Sequence, residues 1–210
     1  MEQTLQLHNM VLHTKVLGPG NRAAIWLQGC KKRCKGCMSP ASRPLDGGLP
    51  VSVSAIVKEL SGLADIEGVT ISGGEPFLQA EALCSLLQII HDELHLGIII
   101  YTGYTLDELH GMQNPWIERI LSSFADLVID GEYVDELNDG GALRGSSNQG
   151  IHFMSSRYIS HAELYGGKSR NTEVVASNKD FFFIGIPAKE TLSEWKKMVA
   201  RLQQEEHPHD

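Results

Sequence analysis

No stretch of this 210-residue chain approaches the run of about 20 apolar residues that a membrane-spanning helix needs. The first ten residues, Met1 to Met10, lack the basic-then-apolar order of a secretory leader, so the expected address is cytoplasmic. Basic charge is scarce as well. The formal net charge is −8, whereas a broad nonspecific nucleic-acid surface needs clustered Lys and Arg. Internal repeats and low-complexity tracts are absent. Cysteine is sparse: there are four, three of them crowded into positions 30–37 and the fourth, Cys84, far away. That distribution does not suit a disulfide framework. In a reducing compartment, such a crowd more often binds metal or does chemistry.

What remains is the composition of a soluble globular domain, 42% hydrophobic and 21% charged, long enough to bury a core without staples. Leu5 to Val16 alternates weakly and reads as an extended lead-in, ending at Gly18-Pro19-Gly20. Ala23 to Leu27 is a short apolar run, a buried strand, and the cysteine loop follows it directly. Ser39 to Pro50 continues as loop. Ser54 is placed to cap a helix through Ile56, Val57, Leu60 and Leu63. Strands are expected at Gly68–Ile71, Gly97–Tyr101 and Asp126–Ile129, and helices at Leu78–Leu94, Leu106–Met112 and Trp116–Phe124. This strand–helix alternation signals an α/β fold with a parallel sheet, open or partly closed as a small partial (β/α) barrel. Past Asp130 the rhythm changes. A Gly-, Asp- and Ser-rich loop runs to Gly150. An antiparallel hairpin follows, Thr172–Ala176 and Phe181–Ile186 joined around Ser177-Asn178-Lys179-Asp180. An amphipathic helix at Leu192–Leu202 and a polar tail from Gln203 complete the chain. The expected organisation is a core over 1–150 and a hairpin-plus-helix extension over 151–210 that packs on it.

The chemistry concentrates in two places. Cys30-x-x-x-Cys34-x-x-Cys37 offers three thiolates with no fourth Cys or His at close spacing, whereas a structural zinc site wants four ligands. Three thiolates on a cubane cluster leave one iron open to a small molecule, and the amino and carboxylate groups of S-adenosylmethionine (SAM) suit it. A redox dithiol with a spare cysteine, or a zinc loop recruiting a distant ligand, is the competing reading. The second place is Ser72-Gly73-Gly74-Glu75-Pro76, at the C-terminal end of an expected strand, the edge where parallel α/β folds bind ligands. Paired glycines admit close backbone approach, and the Glu75 carboxylate or neighbouring carbonyls can accept from an ammonium group. A bulkier residue at Gly74 is expected to abolish cofactor cleavage while leaving a cluster bound. Lys31, Lys32, Arg33 and Lys35 sit among the cysteines, where they offset thiolate charge, receive an acidic partner, or are simply solvated. Cys84 reads as a small core hydrophobe. His91 and His95, four apart near a helix end, read as surface residues, and His207 and His209 lie in the tail.

The cysteine triplet and Gly-Gly-Glu-Pro resemble the radical SAM superfamily. Gly18-Pro19-Gly20-Asn21-Arg22, Lys35-Gly36-Cys37, Tyr101-Thr102-Gly103-Tyr104-Thr105-Leu106, Asp126 to Gly131 and Leu143 to Gln149 narrow the resemblance. Together they are similar to the activating proteins of anaerobic ribonucleotide reductase and the wider glycyl-radical-activating group. The resemblance implies a [4Fe–4S] cluster on Cys30, Cys34 and Cys37 and SAM held by Gly73, Gly74 and Glu75, with contacts from Thr102, Asp130 and Arg144. It further implies a flavodoxin or ferredoxin as reductant and a partner protein carrying the target glycine. Arg144 to Gln149 would lie over the open face, and Tyr101 and Tyr104 are candidate pocket residues. About sixty residues beyond Gln149 depart from the pattern, which leaves two other readings open. One is a stand-alone radical SAM enzyme acting on a peptide or small metabolite, and the other an iron–sulfur electron carrier or sensor.

Overall fold

The computed structural model describes residues 2–176 and 181–188, and thereafter 191, 193–195, 197–199 and 201. Its strands are β1 (Thr4–Thr14), β2 (Arg22–Leu27), β3 (Leu49–Ser52), β4 (Gly68–Gly73), β5 (Gly97–Tyr101), β6 (Leu127–Asp130), β7 (Gly150–Phe153), β8 (Thr172–Ala176) and β9 (Phe181–Gly185). The helices are α1 (Val53–Ser61), α2 (Ala80–Asp92), α3 (Leu106–Gly111), α4 (Pro115–Arg119) and α5 (Ala162–Gly166). Seven strands form one sheet in the order β3-β1-β2-β4-β5-β6-β7, and β8 and β9 form a separate antiparallel hairpin. Strands β2, β4, β5 and β6 run parallel, whereas β1, β3 and β7 pair antiparallel at the edges. The fold is therefore mixed α/β with a largely parallel central sheet and a C-terminal hairpin.

Parallel strands covered on both faces read as continuous apolar runs, and β5, Gly-Ile-Ile-Ile-Tyr, is one. Register turns the runs into rows. Ile25, Ile71, Ile100 and Val128 stand side by side across the four parallel strands and face the helices. Leu83, Leu86, Leu87 and Ile90 of α2 meet that row and are fully buried, each contributing about 1.5–3 kcal/mol of transfer free energy. The opposite face carries Ala24, Thr70, Ile99 and Leu127. Val16 and Leu17 cover part of that face, and Tyr158, Tyr165 and Ile184 cover the rest.

At the N-terminal end of the parallel strands the Arg22 side chain is wholly buried on this second face. Its guanidinium donates to Thr70 Oγ1 at 2.8 Å, the Tyr158 hydroxyl at 2.7 Å and the Val69 carbonyl at 2.8 Å, and it pairs with Glu67. Two strand-initial glycines make the room. A Cβ on Gly68 would stand 2.7 Å from an Arg22 nitrogen, and one on Gly97 would stand 1.9 Å from the Tyr158 hydroxyl.

Several local expectations shift. The cap of α1 is Ser52, which accepts from the Ala55 N–H, while Ser54 lies inside the helix. The helix expected from Leu78 begins as a tight turn at Pro76–Gln79 and becomes α-helical only at Ala80. The Trp116–Phe124 helix is α4 followed by a wider turn at Ile120–Phe124. Strand β3 begins at the end of the stretch expected to be loop and runs on to Ser52, and β7 and α5 are additional elements. The hairpin falls where expected, but its turn at 177–180, Leu192 and Leu202 of the last helix, and the tail from Gln203 lie outside the described residues. Among the described residues no helix is long and apolar enough to cross a membrane.

Candidate functional site

Because β2, β4, β5 and β6 are parallel, the loops leaving their C-terminal ends converge on one side of the sheet. The first such loop carries the cysteines. It is pinned at its neck, where Gly29 N–H donates to the Ser42 carbonyl at 2.8 Å and Cys30 N–H to the Arg43 carbonyl at 3.0 Å. Inside it Gly36 turns at φ +76°, and Arg33 donates to the Cys30 carbonyl at 2.9 Å. All four cysteines are free, and Cys84 is buried in the α2 core as expected.

The loop after β4 packs directly on that neck. Gly74 N–H donates to the Leu27 carbonyl at 2.7 Å, and Glu75 N–H donates to the Gly29 carbonyl at 2.8 Å. Gly73 has φ +112°, and a Cβ on Gly74 would stand 2.2 Å from the Gly29 carbonyl oxygen. Both glycines are therefore required by backbone conformation or contact. The Glu75 carboxylate is completely buried. It accepts from Phe77 N–H at 3.1 Å, the Thr102 hydroxyl at 2.9 Å and Gly103 N–H at 2.8 Å. Burial outweighs those donors and pushes its pKa up to about 7. Glu75 thus clamps the loop after β4 to the loop after β5.

These loops enclose a cavity of about 340 Å³. Cys30, Cys34 and Cys37 line it together with Gly73, Gly74, Glu75 and Thr102. Sequence reasoning thus brought seven residues to one place. Lys32 also lines it, its ammonium 4.7 Å from the Tyr104 ring centre and 3.5 Å from Glu108, while Lys31, Arg33 and Lys35 are exposed. Tyr101 lines the cavity too, and its hydroxyl donates to the Leu143 carbonyl at 3.0 Å.

Two expected contacts lie elsewhere. The Asp130 carboxylate accepts from Leu106 N–H at 2.7 Å and Gly150 N–H at 3.1 Å and stands 3.0 Å from His152 Nε2. It ties α3 and β7 to the end of β6, and its neighbour Gly131 reaches the cavity instead. Arg144 borders a second cavity and pairs with Asp139 at 2.9 Å. Of its segment, Gly145 and Gln149 line the first cavity. Gln149 holds the loop in place by accepting from Gly145 N–H at 2.7 Å and donating to the Gly131 carbonyl at 2.8 Å. Tyr133 and Trp26 are further lining residues that no motif announced. His91 and His95 are exposed and apart from the site.

The three thiols offer the donor set of a cluster that leaves one iron open. Among the described residues no three Cys, His, Asp or Glu side chains converge closely enough to hold a single metal ion. Thiolates on one zinc stand about 3.8 Å apart, given Zn–S bonds of about 2.3 Å in a tetrahedron. A cubane takes each thiolate on a different iron and needs a wider set around one space. Cys30, Cys34 and Cys37 are three free thiols on one cavity, which supplies the donors for such a group. Burial raises the Cys30 thiol pKa, and burial together with Glu132 pushes Cys34 up to about 11.

Comparison with known proteins agrees. A family model described as a 4Fe-4S single cluster domain matches residues 16–152. The chain belongs to this radical SAM-type family. It is 33% identical over 147 residues to the anaerobic ribonucleoside-triphosphate reductase-activating protein of Salmonella typhimurium (strain LT2), covering 66% of this chain and 92% of that one. The protein of the same name from Vibrio cholerae serotype O1 is 34% identical over 145 residues, 65% of this chain and 90% of that one. The one from Enterobacteria phage T4 is 26% identical over 139 residues, 64% of this chain and 85% of that one. The family read from the motifs is borne out.

Proposed function

We propose that this protein is the activating enzyme of an anaerobic ribonucleotide reductase, installing a radical on a backbone glycine of that partner. The observation that carries the reading is the joining of the cysteine loop and the Gly73-Gly74 segment into one cavity through their own backbones. An electron carrier or sensor needs no ligand-sized cavity beside its cluster. Relatives named for reductase activation, matched over about nine-tenths of their own length, supply the substrate class.

Cys30, Cys34 and Cys37 would hold the [4Fe–4S] cluster, which when bound supplies the single electron that splits SAM into methionine and the hydrogen-abstracting 5′-deoxyadenosyl radical. Backbone groups of Gly73 and Gly74 would take the SAM amino group, with Glu75 holding them against Thr102 and Gly103. Lys32 brings positive charge to the cavity wall, where the SAM carboxylate is a suitable counterion. Gly145 and Gln149 line the cavity, and a glycine-bearing loop would enter beside them, having no side chain at the reacting carbon. A flavodoxin or ferredoxin would reduce the cluster, and the setting would be the cytoplasm. The unbroken order β2-β4-β5-β6, with α1, α2 and α4 packed on one face, supports reading the sheet as an open part of a (β/α) barrel.

The test is anaerobic reconstitution with iron and sulfide, followed by SAM and dithionite. Deoxyadenosine should form and vanish in Cys34→Ala, and addition of an anaerobic reductase should give a glycyl-radical resonance. Deoxyadenosine without that resonance would move the substrate to a peptide or metabolite. A cluster that never yields deoxyadenosine would return the protein to electron transfer or sensing.

A further inference from the structure

About one third of this chain lies outside the region shared with the reductase activators, and the family model stops at residue 152. The added segment does not hang free of the site. Phe182, Phe183 and Ile186 of the hairpin strand β9 and its exit line the cysteine cavity, as does Trp195 from the residues beyond. Phe182 meets Trp26 edge-to-face with ring centres 4.9 Å apart, and Phe183 lies 5.1 Å from Trp195. Ile184, on the same strand face as Phe182, is wholly buried in a cluster with Val16, Leu17, Ala24 and Trp26.

Two polar anchors fix the wall in position. Arg170, just before β8, donates to the carbonyls of Gly141 at 2.9 Å, Arg144 at 2.9 Å and Gly145 at 3.2 Å, to Asn138 Oδ1 at 2.8 Å and to the Pro187 carbonyl at 3.2 Å. One guanidinium thus joins the added hairpin to the loop whose Gly145 lines the cavity. Glu173 of β8 accepts from the Thr14 hydroxyl at 2.6 Å and Lys15 N–H at 3.1 Å, which ties the far side of the hairpin to the end of β1 beside Arg22.

We infer that this segment is an additional wall of the cofactor cavity, in which Phe183 and Trp195 set what enters and shield the reactive carbon from water. The inference rests on the function proposed above. Leu17, Trp26 and Met38 supply apolar lining from the core, and Phe182, Phe183, Ile186 and Trp195 extend that apolar boundary from the added segment. A boundary of that kind admits a slender, extended glycine segment and excludes bulky side chains. It also removes solvent that would divert a primary carbon radical. Arg170 is the positioning residue for this wall, since it touches no lining thiol and acts through the loop and hairpin it joins.

The deciding experiment compares the parent with Trp195→Ala, Phe183→Ala and Arg170→Met, using Trp116→Ala on exposed α4 as control. In the metal-free protein, the rate at which a bulky maleimide labels Cys30 is read by peptide mapping. Cys30 is only 8% exposed, and buried Cys84 serves as the internal reference for global unfolding. Opening the wall should speed Cys30 labelling about tenfold while Cys84 stays slow. In the reconstituted enzyme the same variants should form fewer glycyl radicals per deoxyadenosine released, and Trp195→Phe should restore the parental ratio. Parental Cys30 labelling and parental coupling in all three variants would overturn the wall. A parent that makes no deoxyadenosine would instead overturn the proposed function, and the labelling result would still decide whether the segment covers the cavity.

Discussion

Replacing Gly74 with alanine tests how the two motif loops depend on each other. The new methyl would stand 2.2 Å from the Gly29 carbonyl oxygen, 2.7 Å from its carbon and 2.8 Å from the Ser42 carbonyl oxygen. All three are backbone atoms, so no side chain can swing aside. Reaching ordinary contact requires the loops to part by about 1 Å, which costs about 1–3 kcal/mol as overpacking. The same movement stretches the Glu75 N–H bond to Gly29, worth about 1 kcal/mol more. A loss of about 2–4 kcal/mol lowers Tm by about 4–16 °C for a domain of this size. From sequence alone, a bulkier residue at 74 was expected to spare the cluster. The geometry says otherwise, because Gly29 immediately precedes Cys30 and its displacement carries the cluster loop with it. A misplacement of about 1 Å at a reacting centre costs about 100-fold in rate. Gly74→Ala should therefore lower iron occupancy and deoxyadenosine formation together. Gly62→Ala, whose Cβ would find its nearest neighbour at 3.6 Å, should leave both near parental. A Gly74→Ala protein with parental Tm, iron content and deoxyadenosine yield would refute the reasoning.

Arg22→Met removes the buried guanidinium that closes the far end of the sheet and should cost about 3–5 kcal/mol, read as a lower urea midpoint. A shift equivalent to less than about 1 kcal/mol would show that the plug is dispensable. Glu75 has its folded pKa raised from 4.5 to about 7 by burial. Between those values the folded protein keeps a proton that the unfolded chain has released, so stability falls as pH rises through the window, by about 3 kcal/mol in all. Urea titrations of the metal-free protein at pH 5 and pH 8 should show this fall in the parent and a flatter profile in Glu75→Gln; equal profiles would count against it. Asp130→Asn weakens an acceptor used by Leu106 N–H and Gly150 N–H, and should lower stability by about 1–3 kcal/mol while leaving SAM affinity near parental. A large loss of SAM affinity at parental Tm would place Asp130 among the ligand contacts.

The parts of this molecule that could be read in advance are those whose constraint is local. Strand β5 was legible because both its faces are covered and every central residue is apolar. Strand β3 was hidden because it is an edge strand, with Leu49 71% exposed and Pro50 inside it, so neither an apolar run nor an alternation marks it. Strand β7 follows a Gly- and Ser-rich loop and is only half buried along its length, which erases the period-two signal. The cysteines and the glycine pair were legible because their chemistry is written in adjacent positions. Arg144 was not, because it and Gly145 turn to different cavities, and adjacency along a loop does not decide direction. Phe182 reaches Trp26 from more than a hundred residues downstream, a distance across which sequence periodicity carries no information.

The two ends of the parallel strands are closed by opposite kinds of chemistry, and their positions follow from the needs of each end. The N-terminal end needs only to be shut. One arginine does this, its donors shared among strand carbonyls, Thr70 and Tyr158, in room made by Gly68 and Gly97. The C-terminal end must hold a cofactor and still admit a partner, so a permanent plug there would abolish function. Loops joined backbone to backbone hold the cofactor side, because a backbone bond fixes position without occupying the cavity. The boundary facing the partner is built from separable aromatic side chains on a hairpin tethered by Arg170 and Glu173. If that division is right, stability should respond more to changes at the Arg22 end than to changes in the hairpin. Coupling of cofactor cleavage to glycine activation should respond mainly to changes in the hairpin. A variant set in which the two responses always move together would show the division to be false.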